Sequence, residues 1–96
     1  MAPPPGAAVV RRAGGISHPE ALLAANLRAV TRAPVGRRYV TLYGASRGVA
    51  RMVAAQAISE TDARAALVAA GRAAGQSERE IRTAIDGGFR AEGVAA

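Results

Sequence analysis

Alanine restricts the fold of this chain more than any other residue. Half of the 96 residues are apolar, most of those are alanine, and the only aromatic side chains are Tyr39, Tyr43 and Phe89. Alanine is the best intrinsic helix former, yet it offers little side-chain surface to bury. Helices should therefore form readily and pack closely around a few larger anchors. A chain of this length makes one small domain with a modest core and a thin stability margin.

Start and stop signals divide the chain. Residues 1–15, with Pro3-Pro4-Pro5, Gly6 and Gly14-Gly15, read as a disordered Pro/Gly-rich arm carrying Arg11 and Arg12. A first helix is predicted from Ser17 as cap, Pro19 at an early position and Glu20 completing a capping box. Leu23, Leu27 and Val30 then recur on one face beside Leu22, with Arg28 and Arg32 on its flank, until Ala33-Pro34-Val35-Gly36 ends it. The segment Arg38-Tyr39-Val40-Thr41-Leu42-Tyr43 has the β-branched and aromatic character of a strand. It has no partner strand, so it is read as the head of a second helix over about 38–56, bending near Gly44 or Gly48.

The third helix opens on Ser59-Glu60-Thr61-Asp62 and carries a slim stripe of Ala63, Ala66, Leu67, Ala70 and Ala74, with Gly75 as its stop. The fourth opens on the capping box Ser77-Glu78-Arg79-Glu80 and continues through Ile81 and Ile85, with Gly87-Gly88 as an interruption before Phe89. Only Gly75-Gln76 separates the third helix from the Ser77 cap, so these two should form an angled or antiparallel pair, the best-specified unit in the chain. The predicted architecture is all-α: a compact bundle of about four short helices over 16–93, behind the disordered arm and before a frayed tail at 94–96.

Charge divides the chain differently. All thirteen basic residues are arginine. Residues 1–51 hold eight of them (Arg11, Arg12, Arg28, Arg32, Arg37, Arg38, Arg47 and Arg51) against a single acid, Glu20, while residues 52–96 hold five against six acids. A basic half joined to a near-neutral half points one face toward a polyanion; the alternative is a solvated arginine surface that keeps an alanine-rich protein in solution. Arg47 and Arg51, four apart on a helix, project to one side together.

Several classes of chemistry find no support. Without cysteine there is no disulfide, thiolate zinc site or thiol nucleophile, which fits a cytoplasmic protein. No apolar run approaches the ~20 residues that span a bilayer, and the N-terminal arginines follow the short apolar stretch, the reverse of a signal peptide. His18, the only histidine, flanks a helix start, and the acids belong to helix caps, so neither a catalytic base nor an oxygen-ligated metal site is legible. Gly44-Ala45-Ser46-Arg47-Gly48 lacks the ending of a phosphate-binding Walker loop. The expectation is a protein that is not an enzyme and carries no metal or cofactor.

A helix-turn-helix reading of the last two helices places Glu78, Arg79, Arg82 and Thr83 at the start of the recognition helix, where two acids would repel phosphate. Sequence-independent phosphate contact by Arg37, Arg38, Arg47 and Arg51, aided by Arg28 and Arg32, is the favoured route to DNA. Tyr39 or Tyr43 can stack on an unpaired base or anchor the core; Tyr43 is read as core.

From Ala33 to Gly93 the chain resembles the C-terminal helical region of actinobacterial and phage bifunctional DNA primase-polymerases. The stretches that carry the likeness are Pro34-Val35-Gly36-Arg37-Arg38-Tyr39 with Leu42, then Met52-Val53-Ala54-Ala55, and above all Ala73-Ala74-Gly75-Gln76-Ser77-Glu78-Arg79-Glu80 running on to Phe89-Arg90-Ala91-Glu92-Gly93. Tyr39 stands where that pattern has asparagine and Gln76 where it has an apolar residue, and the acidic catalytic residues of the polymerase domain have no counterpart. The resemblance implies a helical bundle that assists nucleic-acid transactions in a replication or mobile-element setting, without primer synthesis. The alternative expectation is a protein-interaction adaptor or inhibitor that docks on a host or phage replication or transcription protein, or self-associates through its alanine-rich faces.

Overall fold

The computed structural model describes residues 16–94. The expected disordered arm at 1–15, with Arg11 and Arg12, and residues 95–96 of the expected tail lie outside the described residues. Four helices form a flattened bundle: α1 (Pro19–Arg32), α2 (Arg38–Ala54), α3 (Glu60–Ala73) and α4 (Glu78–Ala91), with a 3₁₀ turn at Val35–Arg37 leading into α2.

The predicted caps hold at α3 and α4. Ser59 Oγ accepts from the Asp62 N–H at 3.1 Å and Ser77 Oγ from the Glu80 N–H at 3.2 Å, satisfying donors that each helix start leaves unpaired. At α1 the prediction fails. Pro19 is the first helical residue and His18 the cap, without a side-chain cap bond, so Ser17 stands one residue outside the position from which its hydroxyl would serve.

Three helices end alike, each in a Schellman motif. The C′ residues Gln56, Gly75 and Gly93 have φ of 62°, 84° and 71°, and the next residues, Ala57, Gln76 and Val94, donate to the carbonyls of Met52, Gly71 and Phe89. Gly75 was legible as a stop. Gln56 was not, because a left-handed glutamine carries no glycine signature, and α2 accordingly ends two residues earlier than predicted.

α2 runs as one helix from Arg38, and no strand forms at its head. Leu42, Ala45, Ser46, Val49, Ala50 and Met52 share its buried face at helical spacing, and burial of that stripe outweighs the local strand preference of Tyr39-Val40-Thr41. The Ser46 hydroxyl, fully buried, donates to the Leu42 carbonyl at 2.7 Å. α2 packs on all three other helices and most extensively on α4, which makes α2–α4 the main seam of the bundle; α3 and α4 also pack on one another, less extensively.

Gly87-Gly88 does not end the last helix; α4 continues through both to Ala91. A β-carbon at Gly88 would lie 2.6 Å from Ser46 Cβ, 2.9 Å from the Tyr43 carbonyl oxygen and 3.1 Å from the Arg47 nitrogen. Glycine is there because the α2 and α4 backbones touch. Next to the crossing, Phe89 is fully buried, and the Arg64 guanidinium lies over its ring at 4.7 Å from the centroid.

Candidate nucleic-acid interface

The seven residues expected to contact nucleic acid separate into two groups. Arg28 and Arg32, one turn apart, are exposed on the C-terminal half of α1, and Arg37 is exposed in the 3₁₀ turn that follows. Among the described residues none of the three forms an ion pair. Glu20 is the only acid in the first half of the chain, and it sits in the first turn of α1, about 18 Å along the helix axis from Arg32 at 1.5 Å per residue. The carbonyl end of α1 adds negative partial charge beneath Arg32, which favours a cation there. The turn between α1 and α2 thus gathers three arginines whose charge no protein acid offsets.

Arg38 begins α2 but is half-buried. Its guanidinium lies against the α3–α4 turn, where a β-carbon at Gly75 would come 3.6 Å from Nη1. Its Nε is buried without a protein partner, as is the side-chain amide of neighbouring Gln76. Arg38 is therefore partly committed to packing at the carbonyl end of α3 and is less available than its neighbours. Tyr39 is 41% exposed, next in sequence to Val40 at 55%, and Val35 in the preceding turn is 75% exposed, so exposed aromatic and apolar residues share this stretch of chain with the arginines. Tyr43 packs against the core as predicted, its ring 3.1 Å from where a Gly87 β-carbon would be.

Arg47 and Arg51 are elsewhere on α2 and already engaged. Arg47 Nε donates to Glu92 Oε2 at 2.7 Å, and Arg51 donates from Nε to Oε1 at 3.3 Å and from Nη2 to Oε2 at 3.5 Å. The hydrogen bond from Arg47, reinforced by the charge of Arg51, holds the Glu92 carboxyl below its ordinary range, and the same bond raises Arg47. Glu92 caps the end of α4, so the Gly88 crossing that carries α4 past α2 also delivers this carboxylate to the pair. Sequence reasoning missed Glu92 because it lies 45 positions from Arg47. The available signal was Gly87-Gly88, read as a helix crossing instead of a stop.

The near-neutral half keeps much of its charge internal. Arg64 donates to Glu60 at 2.9 Å and to Asp86 at 2.7 Å, and Arg72 pairs with Glu78, whose carboxyl is lowered by that hydrogen bond. Arg79 and Arg82 are exposed on α4, interleaved with Glu78 and Glu80, so carboxylates stand among these cations. Among the described residues, no group of three histidine or acidic side chains is placed to hold a metal ion, and no helix is long and apolar enough to cross a membrane. A groove of about 480 Å³ between α1 and α2, lined by Leu22, Asn26, Gly44, Gly48 and Met52, has Arg51 as its one charged wall residue. Comparison with protein-family models, curated proteins and solved structures found no match.

Proposed function

We propose that this chain is a non-catalytic nucleic-acid-binding accessory domain that grips phosphates through the corner between α1 and α2. The observation that carries the reading is the gathering of Arg28, Arg32 and Arg37 at one exposed turn with no acid paired to any of them. Each such cation releases condensed counterions on meeting a phosphate, which drives binding without regard to base sequence and makes it steeply salt-dependent. Arg47 and Arg51 are a secondary contact, held back by Glu92. The resemblance of residues 33–93 to the helical region of primase-polymerases supports a role in phage or mobile-element DNA replication, within the cytoplasm.

A titration of labelled DNA across a salt series tests this. Binding at low salt whose logarithm falls linearly with the logarithm of salt concentration is expected; no detectable binding at low salt would overturn the reading. The exposed Val35 and Val40 favour a second reading, an adaptor or inhibitor that docks on a replication or transcription protein. A partner captured from extract that survives nuclease treatment would select it.

A further inference from the structure

We infer that the α1–α2 corner takes single-stranded nucleic acid in preference to duplex, with Tyr39 as the platform for an unpaired base and Arg32 and Arg37 on the flanking phosphates. This rests on the nucleic-acid reading above and narrows its substrate.

Tyr39 stands on the first turn of α2. It precedes Leu42, Ser46 and Val49 on the stripe that α2 buries, yet 41% of it remains exposed, whereas those three are fully buried. Tyr39 thus presents an aromatic side chain to solvent from the first turn of a helix whose following turns are buried. Val40, 55% exposed, and Val35, 75% exposed, extend the apolar surface on either side of it in sequence. Arg37, two residues before Tyr39, and Arg32, at the end of α1, place unpaired cations in the same turn.

Duplex DNA meets a protein surface mainly as phosphate and sugar, with its bases stacked inside. Arginines alone would serve that surface, and Val35, Tyr39 and Val40 would lose solvent contact against a charged backbone with no gain. An unpaired strand presents base faces beside its phosphates, and an aromatic ring among cations complements both, whatever the base. A protein partner fits less well. A stable protein interface covers about 800 Å² on each side around an apolar core, and three apolar side chains among arginines fall well short of that. They match a short run of stacked bases.

The test uses the full chain and fluorescence anisotropy with labelled oligothymidylate of about 12 nucleotides, a length within the usual range of single-strand sites, against a duplex of the same length. Single strand is expected to bind roughly tenfold more tightly than duplex, and Tyr39→Ala to lower single-strand affinity by roughly tenfold while leaving duplex affinity unchanged. Tyr39→Phe should retain single-strand binding. Tyr39→Trp supplies the only tryptophan in a chain that has none, and its emission should be quenched by single strand and not by duplex; these two variants keep the test decisive if Tyr39→Ala fails to fold. Duplex bound as tightly as single strand, or single-strand affinity unmoved by Tyr39→Ala in a folded protein, would overturn the inference and leave nucleic-acid binding standing. No binding to either would remove both. Displacement by polyglutamate as effective as by unlabelled oligothymidylate at equal charge concentration would also overturn it, pointing to an acidic protein instead.

Discussion

Two of the seams that α2 makes, with α4 and with α1, differ in both packing and charge. Against α4 the backbones touch at Gly88, and the carboxylate of Glu92 closes the seam over Arg47 and Arg51. Against α1, Gly44 has open space where a β-carbon would be, one at Gly48 would meet only the side chain of Asn26, at 2.8 Å, a groove runs beside them, and the arginines at the turn have no acid partner. The basic half of the chain is thus two surfaces. One has had part of its charge offset by the fold, and the other presents all of it to solvent. A count of arginines along the chain cannot separate them, because what matters is where the acids of the other half arrive.

The largest expected effect contrasts the two seams through their glycines. Gly88→Ala should destabilise the protein by about 2 kcal/mol, since two of the three atoms the new methyl would strike belong to the α2 backbone and cannot swing away. Gly44→Ala, which meets nothing within 4 Å, should instead stabilise it by about 0.5–1 kcal/mol through the better helix propensity of alanine. Chemical denaturation of the two variants measures both. Equal effects would mean that α4 does not cross α2 at Gly88.

A smaller effect is expected from Glu92→Gln. Releasing Arg47 and Arg51 should raise affinity for DNA at low salt by about threefold and steepen the salt dependence by about one contact. An unchanged or weakened affinity in anisotropy titrations would show that the pair is not poised for phosphate at all. The smallest is a pH effect. The carboxyl of Glu92 is held below its ordinary value of 4.5 by its arginines, so the contact contributes fully above that value and is lost as pH falls through the lowered one. An NMR titration of the Glu92 side chain should give a midpoint below 4.5; a midpoint at or above it would place the carboxylate away from Arg47.

Most of the fold was legible in the sequence because its signals are local. Ser59 and Ser77 cap α3 and α4 through atoms three residues away, and Gly75 stops α3 where the left-handed C′ position requires it. The misreadings fell where a distant neighbour decided the outcome. Gly87-Gly88 looks like a stop until α2 is laid across it, and Ser17 looks like a cap until Pro19 sets the first turn. The candidate site follows the same rule. Arg28, Arg32 and Arg37 could be named as exposed and basic from their place around a helix end, whereas the engagement of Arg47 and Arg51 by Glu92, and of Arg38 with the α3–α4 turn, depends on contacts between elements far apart in the chain.

Unpaired charge at the α1–α2 corner, and not arginine content, is what should carry polyanion binding. The most direct test compares the salt dependence of single-strand binding in the wild type, in Arg28→Ala/Arg32→Ala/Arg37→Ala and in Arg47→Ala/Arg51→Ala. At about 0.7 of a counterion per phosphate contact, the triple variant should lose about 2 from the slope of log affinity against log salt, and the double variant should lose about 0.7, because the single charge of Glu92 already offsets one of its two arginines. Equal losses per arginine in the two variants, or a greater loss in the double variant, would contradict the account.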